Sequence, residues 1–375
     1  MAKGIYPVAM PKWGMTMTEG TVAGWLAEEG DEISEGHEFL EIETTKITNV
    51  VEAQATGTLR RRLIAAGSTV PVGSLLAVIA EDRISDAELD EFIITYAPVE
   101  SNAAGGSGTG PVSRMVDAGG RNINVATLGD AGDDVILLHG FGGDLNSWMF
   151  NQPELAAQFK VHAVDLPGHG QSTLDVGSGS VPGLAAAILG LMDAEGVPSA
   201  HLVGHSLGGA VALFMAIKHP EQVHSATLIC PGGLGPDINL DFIDDFIAAD
   251  RRKDMKSVPG LLFADPDAVQ RKMVEDSLKF KRLDGVPAAL QTIRRANFTD
   301  THQAGGMREG LASSKVPVQV IWGADDKIIP ATHMSGLPQS VETHLLDGAG
   351  HMPHMEQAAA VTRLIANFAA QSGGR

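Results

Sequence analysis

Ser206 stands in a setting that could make it a nucleophile. It is the centre of Gly-His-Ser-Leu-Gly at residues 204–208, which follow the apolar run 201–203 and precede the alanine-rich segment 210–216. This arrangement predicts a sharp turn from a buried strand into a helix. Glycines must flank the serine on such a turn because the neighbouring backbone leaves no room for a Cβ atom, and the hydroxyl then projects outward.

A second glycine-rich turn could bind the oxyanion of an acyl-transfer intermediate. Residues 139–144, His-Gly-Phe-Gly-Gly-Asp, directly follow the apolar run 135–138, which predicts a buried central strand. Glycines there allow backbone amides to approach a substrate oxygen. We expect the amide of Phe141 to form half of this oxyanion hole and the amide of Leu207, next to Ser206, to form the other half.

Candidate acid and base residues follow two predicted strands near the C-terminus, at 318–322 and 344–346. Open α/β sheets place their sites at the carboxyl ends of the strands, so the loops after both strands should meet near Ser206. The candidates are Asp325 and Asp326 after the first strand and His351 and His354 after the second.

Residues 113–375 resemble the α/β-hydrolase family. The family pattern Trp-Gly-x-x-Asp-x-x-x-Pro matches residues 322–330, and the pattern Gly-x-Gly-His matches residues 348–351. Both follow the serine in the chain order serine, acid, histidine that this architecture uses. The resemblance implies Ser206 as nucleophile, Asp326 as acid and His351 as base, with Asp325 as the alternative acid and His354 as a bystander.

Four other residues near these motifs are expected to be structural. Asp165 and His169 lie in a loop after a predicted strand and are interpreted as turn residues. His205 lies inside the serine turn, where its ring should point away from Ser206. Cys230 ends an apolar run and is interpreted as a buried small hydrophobe rather than a reactive thiol.

The second half of the chain has the pattern of an α/β domain with a mostly parallel sheet. Apolar strand runs alternate with helical stretches, and we expect 123–128 to be the opening strand. Between residues 233 and 312 the strand pattern gives way to helical and charged sequence. This change predicts a helical cap inserted after the strand that ends at Cys230.

The predicted cap contains a basic segment. Positions 251–295 carry eleven basic and six acidic residues, whereas residues 1–82 carry twelve acidic and six basic ones. The basic segment could dock the acidic N-terminal region or an anionic acceptor. Alternatively, it could form a solvated helix face. We favour this second interpretation because several aspartates precede the segment. Its basic residues include Arg251, Arg252, Lys253, Lys279, Lys281 and Arg282.

Residues 1–80 have the pattern of a small all-β unit, with short alternating segments broken by glycine at close intervals. Within residues 41–50 two strand-like runs meet near Thr45 and Lys46. This places Lys46 at or near the tip of a hairpin. A lysine at such a position would ordinarily be a solvated turn residue.

This N-terminal segment resembles a lipoyl domain. The resemblance lies in residues 10–20, 29–31, 36, 41–46 and 57–59. It implies that Lys46 is amide-linked to lipoic acid, whose dithiolane then swings on a long arm. Thr45 and Ile47 flank the lysine where biotinyl domains usually have methionines, so lipoate is favoured. An unmodified β module is the alternative.

A helix and a linker are predicted between the two parts. Residues 85–88 have capping-box spacing, and apolar residues between 89 and 96 recur at helical intervals before Pro98. We expect this apolar stripe to pack on a neighbouring domain of the same chain. Residues 101–110 have a flexible composition that a tethered carrier needs. The expected boundaries are 1–80 for the lipoyl domain, 81–112 for the helix and linker, and 113–375 for the hydrolase domain.

Composition restricts the compartment and the partners. A formal net charge of -19 disfavours nucleic acids and anionic membranes as partners. No secretory signal is visible, and no stretch approaches the roughly 20 apolar residues that span a bilayer. A single cysteine excludes an internal disulfide and fits a reducing compartment. We therefore expect a cytoplasmic protein without a bound metal.

The pairing of a carrier with a serine acyl-transfer site resembles the dihydrolipoamide acetyltransferase components of acetoin dehydrogenase complexes. The resemblance implies transfer of an acetyl group from lipoyl-Lys46 to coenzyme A. It also implies a thiamine-diphosphate-dependent dehydrogenase component that loads the arm and a flavin-dependent dihydrolipoamide dehydrogenase that reoxidises it. The His-x-x-x-Asp-Gly signature of the usual 2-oxo acid dehydrogenase acyltransferase domain is absent from the sequence.

Two rival functions are compatible with the same residues. A serine hydrolase, either a thioesterase or a carbon-carbon bond hydrolase, could be tethered to the carrier and release a free acid. Alternatively, the hydrolase-like domain could be a scaffold without catalysis. The complete set of Ser206, Asp326 and His351 argues against a scaffold.

Overall fold

The chain forms two compact units, Met1–Thr109 and Gly110–Arg375. The computed structural model describes residues 4–11, 19–34, 36–43, 48–53, 55–81, 83–95, 112–266, 269, 271–304 and 306–373. Lys46 and the predicted linker at 101–110 lie outside the described residues.

The first unit contains two four-stranded antiparallel sheets around one apolar core. Its strands are β1 (Ile5–Ala9), β2 (Glu19–Trp25), β3 (Glu32–Ile33), β4 (Glu38–Glu43), β5 (Thr48–Glu52), β6 (Gly57–Arg62), β7 (Thr69–Pro71) and β8 (Leu75–Ala80). The strand orders are β1-β8-β6-β3 and β5-β4-β2-β7. Val22 and Ile42 from one sheet share a fully buried cluster with Leu59 and Leu76 from the other. The predicted all-β unit is confirmed.

Strands β4 and β5 flank the segment that contains Lys46. They pair in antiparallel fashion, and the last register pair joins Glu43 to Thr48. The two strands therefore pair with each other as the sequence predicts. The connecting residues 44–47 are not among the described ones.

The helix α1 (Asp86–Thr95) follows the two sheets. Its capping box is formed as predicted, because the Ser85 amide donates to the Glu88 carboxylate at 2.9 Å and the Glu88 amide donates to the Ser85 hydroxyl at 3.4 Å. Leu89 is fully buried in a cluster with Ile5 and Val78. The apolar face of α1 thus packs on the first unit itself.

The second unit is built on an eight-stranded sheet. Its strands are β9 (Val112–Asp117), β10 (Asn122–Leu128), β11 (Asp134–Leu138), β12 (Lys160–Val164), β13 (Ala200–His205), β14 (Val223–Ile229), β15 (Val318–Gly323) and β16 (Val341–Leu346). The order is β16-β15-β14-β13-β11-β12-β10-β9. The strands from β16 to β12 are parallel, whereas β10 runs antiparallel to both β12 and β9.

One prediction about this sheet is wrong, because β10 is not its opening strand. Strand β9 precedes β10 and pairs with it as an edge strand. Val116 is buried in β9, but Arg114 and Met115 are exposed. An edge strand with so little buried surface lacks the apolar run by which buried strands are recognised.

Helices cover the sheet and build the cap. They are α2 (Gln152–Leu155), α3 (Val181–Glu195), α4 (Leu207–Lys218), α5 (Leu240–Ala248), α6 (Arg252–Ser257), α7 (Arg271–Lys281), α8 (Val286–Asn297), α9 (Arg308–Ser313), α10 (Pro353–Glu356) and α11 (Ala358–Ser372). Helix α4 packs on β13, β14 and α3, and α11 packs on β14. Helices α5 to α9 lie between β14 and β15 in the chain, where the cap was predicted. Among the described residues, no helix has the length and hydropathy needed to cross a membrane.

The basic segment of the cap is only partly the solvated face that the sequence suggested. Lys279 is exposed and pairs with Asp276 at 3.4 Å. Lys281, however, is buried, and its ammonium group donates to the carbonyl of Ala249 at the end of α5. It also lies 5.6 Å from the ring centroid of Phe246. Lys281 therefore neither faces solvent nor is available for docking, because it caps a helix inside the cap domain.

Candidate active site

Ser206 lies at the turn between β13 and α4. Its backbone has φ 52° and ψ -112°, a combination that residues with a side chain rarely adopt. The Ser206 amide donates to the Ile229 carbonyl at 2.9 Å, and the Ser206 carbonyl accepts from the Gly232 amide at 3.0 Å. The end of β14 therefore holds Ser206 in a strained conformation of the kind that clusters at functional turns.

Two glycines beside Ser206 are required by close backbone contacts. A Cβ atom on Gly204 would lie 2.2 Å from the carbonyl oxygen of Gly208. A Cβ atom on Gly208 would lie 2.3 Å from the carbonyl oxygen of Leu138. Both distances are far inside van der Waals contact, so the turn can form only with glycine at these positions. This is the crowding that the strand-to-helix interpretation of the sequence predicted.

The loops after β15 and β16 bring together a carboxylate and an imidazole. His351 Nδ1 lies 2.8 Å from Asp326 Oδ2, and the side chains are 2% and 0% exposed. Asp326 Oδ1 accepts from the amides of Ile328 at 2.8 Å and Ile329 at 3.0 Å. Asp326 Oδ2 also accepts from Trp322 Nε1 at 3.0 Å. The carboxylate is thus fully occupied and fixed in orientation.

These contacts set the charge of Asp326 and the tautomer of His351. Burial alone would raise the pKa of Asp326, but the charge of His351 and the hydrogen bonds from His351, Ile328 and Ile329 outweigh burial and lower it. The carboxyl group is therefore ionised and accepts the Nδ1 proton of His351. The opposite nitrogen, Nε2, is left free to accept a proton.

His205 connects the serine turn to the histidine loop. Its Nε2 donates to the main-chain carbonyl of His351 at 2.8 Å, and the two rings have their centroids 4.8 Å apart. No hydrogen bond among the described residues joins the Ser206 hydroxyl to His351. Catalytic hydrogen bonds are often long before substrate binds, so this arrangement is compatible with proton transfer from Ser206.

The neighbouring carboxylate and histidine occupy other positions. Asp325 is exposed and forms no hydrogen bond with His351, whereas Asp326 does. His354 is fully buried, and neither of its ring nitrogens has a hydrogen-bond partner. Its ring centroid lies 4.6 Å from those of both Trp148 and His205. Burial, and then the charge of His351, lower the pKa of His354 to about 3, so it stays neutral.

The turn after β11 lies against Ser206. A Cβ atom on Gly140 would approach the Ser206 Cβ to 3.1 Å. Among the hydrogen bonds of the described residues, none uses the amide of Phe141 or the amide of Leu207. These two N–H groups are therefore available to a substrate oxygen beside Ser206.

Asp165 and His169 shape this turn. The Asp165 carboxylate accepts from the amides of Leu145 and Gln171 at 2.8 and 2.9 Å. His169 Nε2 accepts from the Gly142 amide at 3.0 Å. Both side chains accept hydrogen bonds from backbone amides, and Asp165 also accepts from the Asn124 side chain, as expected of structural turn residues.

The structure shows a backbone conformation and neighbours for Cys230 that the sequence does not indicate. Cys230 is fully buried, as predicted, but it has φ 42° and is one of two non-glycine residues with positive φ in the described part of the chain, the other being Ser206. Its sulfur and the ligand atoms of Asp326 and His351 lie within 4.8 Å of one another. The apolar run before Cys230 signals burial but carries no information about these neighbours.

This trio is the one group of potential metal ligands found among the described residues. Burial, followed by the nearby charge of Asp326, raises the pKa of the Cys230 thiol well above its ordinary value. A protonated thiol is a poor metal ligand, and the Asp326–His351 hydrogen bond uses the two other ligand atoms. The arrangement fits an acid-base pair better than a metal centre.

Comparisons with known proteins agree with the two-unit architecture. A family model described as alpha/beta hydrolase fold matches residues 134–358, and one described as Biotin-requiring enzyme matches residues 7–79. A meta-cleavage product hydrolase from Pseudomonas fluorescens has a similar structure, with a TM-score of 0.62 at 21% identity, covering 69% of this chain and 98% of that one. The similarity to the meta-cleavage product hydrolase concerns the fold alone.

Two relatives extend over both units. The dihydrolipoyllysine-residue acetyltransferase component of the acetoin cleaving system from Cupriavidus necator is 41% identical, covering 94% of this chain and 94% of its own length. The component of the same name from Pseudomonas putida is 43% identical, covering 97% of this chain and 98% of its own length. With a lipoyl-type unit and an α/β-hydrolase unit in the same order, the chain belongs to the family of acetyltransferase components of acetoin cleaving systems.

Proposed function

We propose that this protein transfers an acetyl group from lipoyl-Lys46 to coenzyme A through an acetyl-Ser206 intermediate. The buried Asp326–His351 pair is the observation that carries the proposal, because its 2.8 Å hydrogen bond presents a basic imidazole nitrogen at the sheet edge where Ser206 lies. A pure scaffold has no need of an ionised carboxylate and an imidazole buried together, since burying such groups costs free energy.

In the first half-reaction, Ser206 Oγ attacks the thioester carbonyl on the lipoyl arm while His351 Nε2 takes the serine proton. The amides of Phe141 and Leu207 donate to the oxyanion. The carbon-sulfur bond then breaks, and the departing sulfur of the dihydrolipoyl group receives the proton from His351. Asp326 stabilises the imidazolium throughout.

In the second half-reaction, His351 takes the thiol proton of coenzyme A and the sulfur attacks acetyl-Ser206. The carbon-oxygen bond breaks, Ser206 recovers the proton from His351, and acetyl-coenzyme A leaves. Water attacking the same intermediate would instead release acetate. The transferase therefore differs from a hydrolase only in the nucleophile that reaches the acyl-serine.

The relatives' names support a place in a multienzyme system. A lipoyl arm that has given up its acetyl group is a dithiol, and it must be reoxidised before the next cycle. We therefore include in the proposal a thiamine-diphosphate-dependent dehydrogenase component, which loads Lys46, and a dihydrolipoamide dehydrogenase, which reoxidises the arm.

The proposal is tested by giving acetyl-dihydrolipoamide to the full chain with and without coenzyme A. We expect acetyl-coenzyme A as the product and at least a thousandfold loss in Ser206→Ala, roughly the effect of removing a catalytic nucleophile. Ser313→Ala, which alters an exposed serine on α9, is the control. Acetate as the main product in the presence of coenzyme A would support the hydrolase instead, and an active Ser206→Ala variant would exclude the serine mechanism.

A further inference from the structure

A short segment of the cap, residues 262–264, lies directly on the loop that carries His351. It follows the 3-10 turn Pro259–Leu261. The carbonyl of Leu262 accepts from the His351 amide at 2.8 Å. A Cβ atom on Gly350 would lie only 2.6 Å from the Ala264 nitrogen. The backbone of the cap and the backbone of the histidine loop are thus in direct contact.

Glu356 joins these two backbones through a single carboxylate. One oxygen, Oε1, accepts from the amide of Gly350 at 2.8 Å. The other oxygen, Oε2, accepts from the amide of Ala264 at 2.8 Å. Hydrogen bonds to an ionised acceptor are stronger than neutral ones. Glu356 is the last residue of α10, so both bonds are anchored to a helix.

We propose that Glu356 is a positioning residue that couples the cap to the base, so that His351 is held for proton transfer only while the cap segment 262–264 is seated. This inference rests on the proposed role of His351. It identifies Glu356 as the side chain that fastens the cap segment to the loop of His351, beside the direct Leu262–His351 hydrogen bond.

The coupling follows from how His351 is held. Its ring is fixed by Asp326, its carbonyl by His205 and its amide by Leu262. Of these three contacts, the Leu262 contact is the one that comes from the cap. Glu356 bonds to the same cap segment two residues later, at Ala264. A cap that lifts to admit a substrate must break both bonds, which frees the backbone at Gly350 and His351.

The test uses Glu356→Gln in the full chain. An amide has one acceptor oxygen, and its NH₂ group would face one of the two backbone N–H donors. We expect kcat for acetyl transfer from acetyl-dihydrolipoamide to coenzyme A to fall about 10- to 100-fold, as displaced catalytic groups usually cause, with KM little changed. The matched control is Glu342→Gln, which removes an equal charge from an exposed residue that pairs with His344 on β16.

Hydrogen exchange tests the coupling itself. In Glu356→Gln, we expect faster amide exchange in peptides covering both 259–266 and 347–356, and no change in Glu342→Gln. Faster exchange in only one peptide, or an unchanged kcat per folded molecule, would overturn the proposal. Labelling of Ser206 with a fluorophosphonate, located by peptide mass spectrometry in the wild type, tests the nucleophile independently. An unlabelled Ser206 would therefore refute the proposed function while the exchange data still decide the role of Glu356.

Discussion

At the scale of single residues, the environment of Asp326 determines what His351 can do. The pKa of Asp326 is lowered by His351 and two backbone amides despite burial. An ionised Asp326 accepts the proton on Nδ1 and leaves Nε2 as the basic nitrogen. In the proposed mechanism, Asp326 therefore acts through the tautomer of His351 rather than by moving a proton itself.

Asp326→Asn should lower kcat by roughly four orders of magnitude, because an amide group facing Nδ1 favours the opposite tautomer. Steady-state transfer to coenzyme A measures this loss. Asp325→Asn removes the same charge one residue earlier, from an exposed side chain without a bond to His351, and should retain nearly full activity. Equal losses in the two variants would contradict the assignment of Asp326.

Contacts between residues far apart in the chain explain what the sequence left out at this scale. Ser206, Asp326 and His351 could be proposed from the sequence because each lies in a local pattern of glycines or a strand-loop pair. The neighbours of Cys230 could not be predicted, because they lie in loops about 100 residues later in the chain. The same holds for Glu356, whose partner Ala264 lies 92 residues earlier.

At the scale of elements, four buried imidazoles lie in the segments after β11 and β12, at the end of β13 and on α10. Burial is the main cause that lowers the pKa of His139 to about 4 and that of His169 and His354 to about 3. His205 is shifted in the same direction, also by burial. These four rings pack as neutral groups. The free energy of unfolding of this region should therefore depend on pH.

The second unit should lose stability as pH falls below about 6.5, the ordinary histidine pKa. The unfolded chain binds protons on these histidines there, whereas the folded chain does not until about pH 4. Each neutral histidine then contributes a loss of roughly 1 kcal/mol per pH unit. Burial raises the pKa of Asp144 to about 6 and that of Asp165 in the same direction, which opposes this trend but with fewer groups.

Urea unfolding at pH 7.5, 6.5 and 5.5, followed by circular dichroism at a helical wavelength, measures this dependence, since every described helix except α1 lies in the second unit. His354→Phe should reduce the slope with pH. A free energy of unfolding that stays constant or rises between pH 6.5 and 5.5 would show that the buried histidines do not control stability.

The elements themselves were largely predictable, and the exception has a physical reason. The central strand β11 contains the continuous apolar run 135–138, and the capping box of α1 is a local signal. Edge strand β9 was missed because only one of its two edges is paired and few of its side chains are buried. Its formation depends on β10 rather than on its own sequence.

At the scale of the whole molecule, the proposed function assigns the carrier to the lipoyl-type unit and the chemistry to the unit that contains the candidate serine site. A carrier on the same chain raises the local concentration of substrate at the site. The acceptor nucleophile must come from solution in the proposed reaction. In that reaction, delivery of the acyl group and its chemistry belong to different units.

Lys46→Arg should abolish acetyl transfer from an arm loaded by the dehydrogenase component and leave transfer from free acetyl-dihydrolipoamide intact. The variant keeps the charge but has no amine for lipoate, whereas the serine site lies in the other unit. Assays of acetyl-coenzyme A with both donors, together with intact mass, measure this. Lys3→Arg is the control, and loss of activity with both donors in Lys46→Arg would contradict the separation.

The crowded serine turn also limits how a protein of this kind can evolve. Gly204 and Gly208 admit no side chain, Gly209 would bring a Cβ within 2.8 Å of Pro231, and Ser206 holds a strained conformation. Gradual substitution at these positions would destroy the turn before it could create a new activity. Substitutions that change the substrate or the acceptor should therefore occur in the cap and the loops, while the serine turn keeps its sequence.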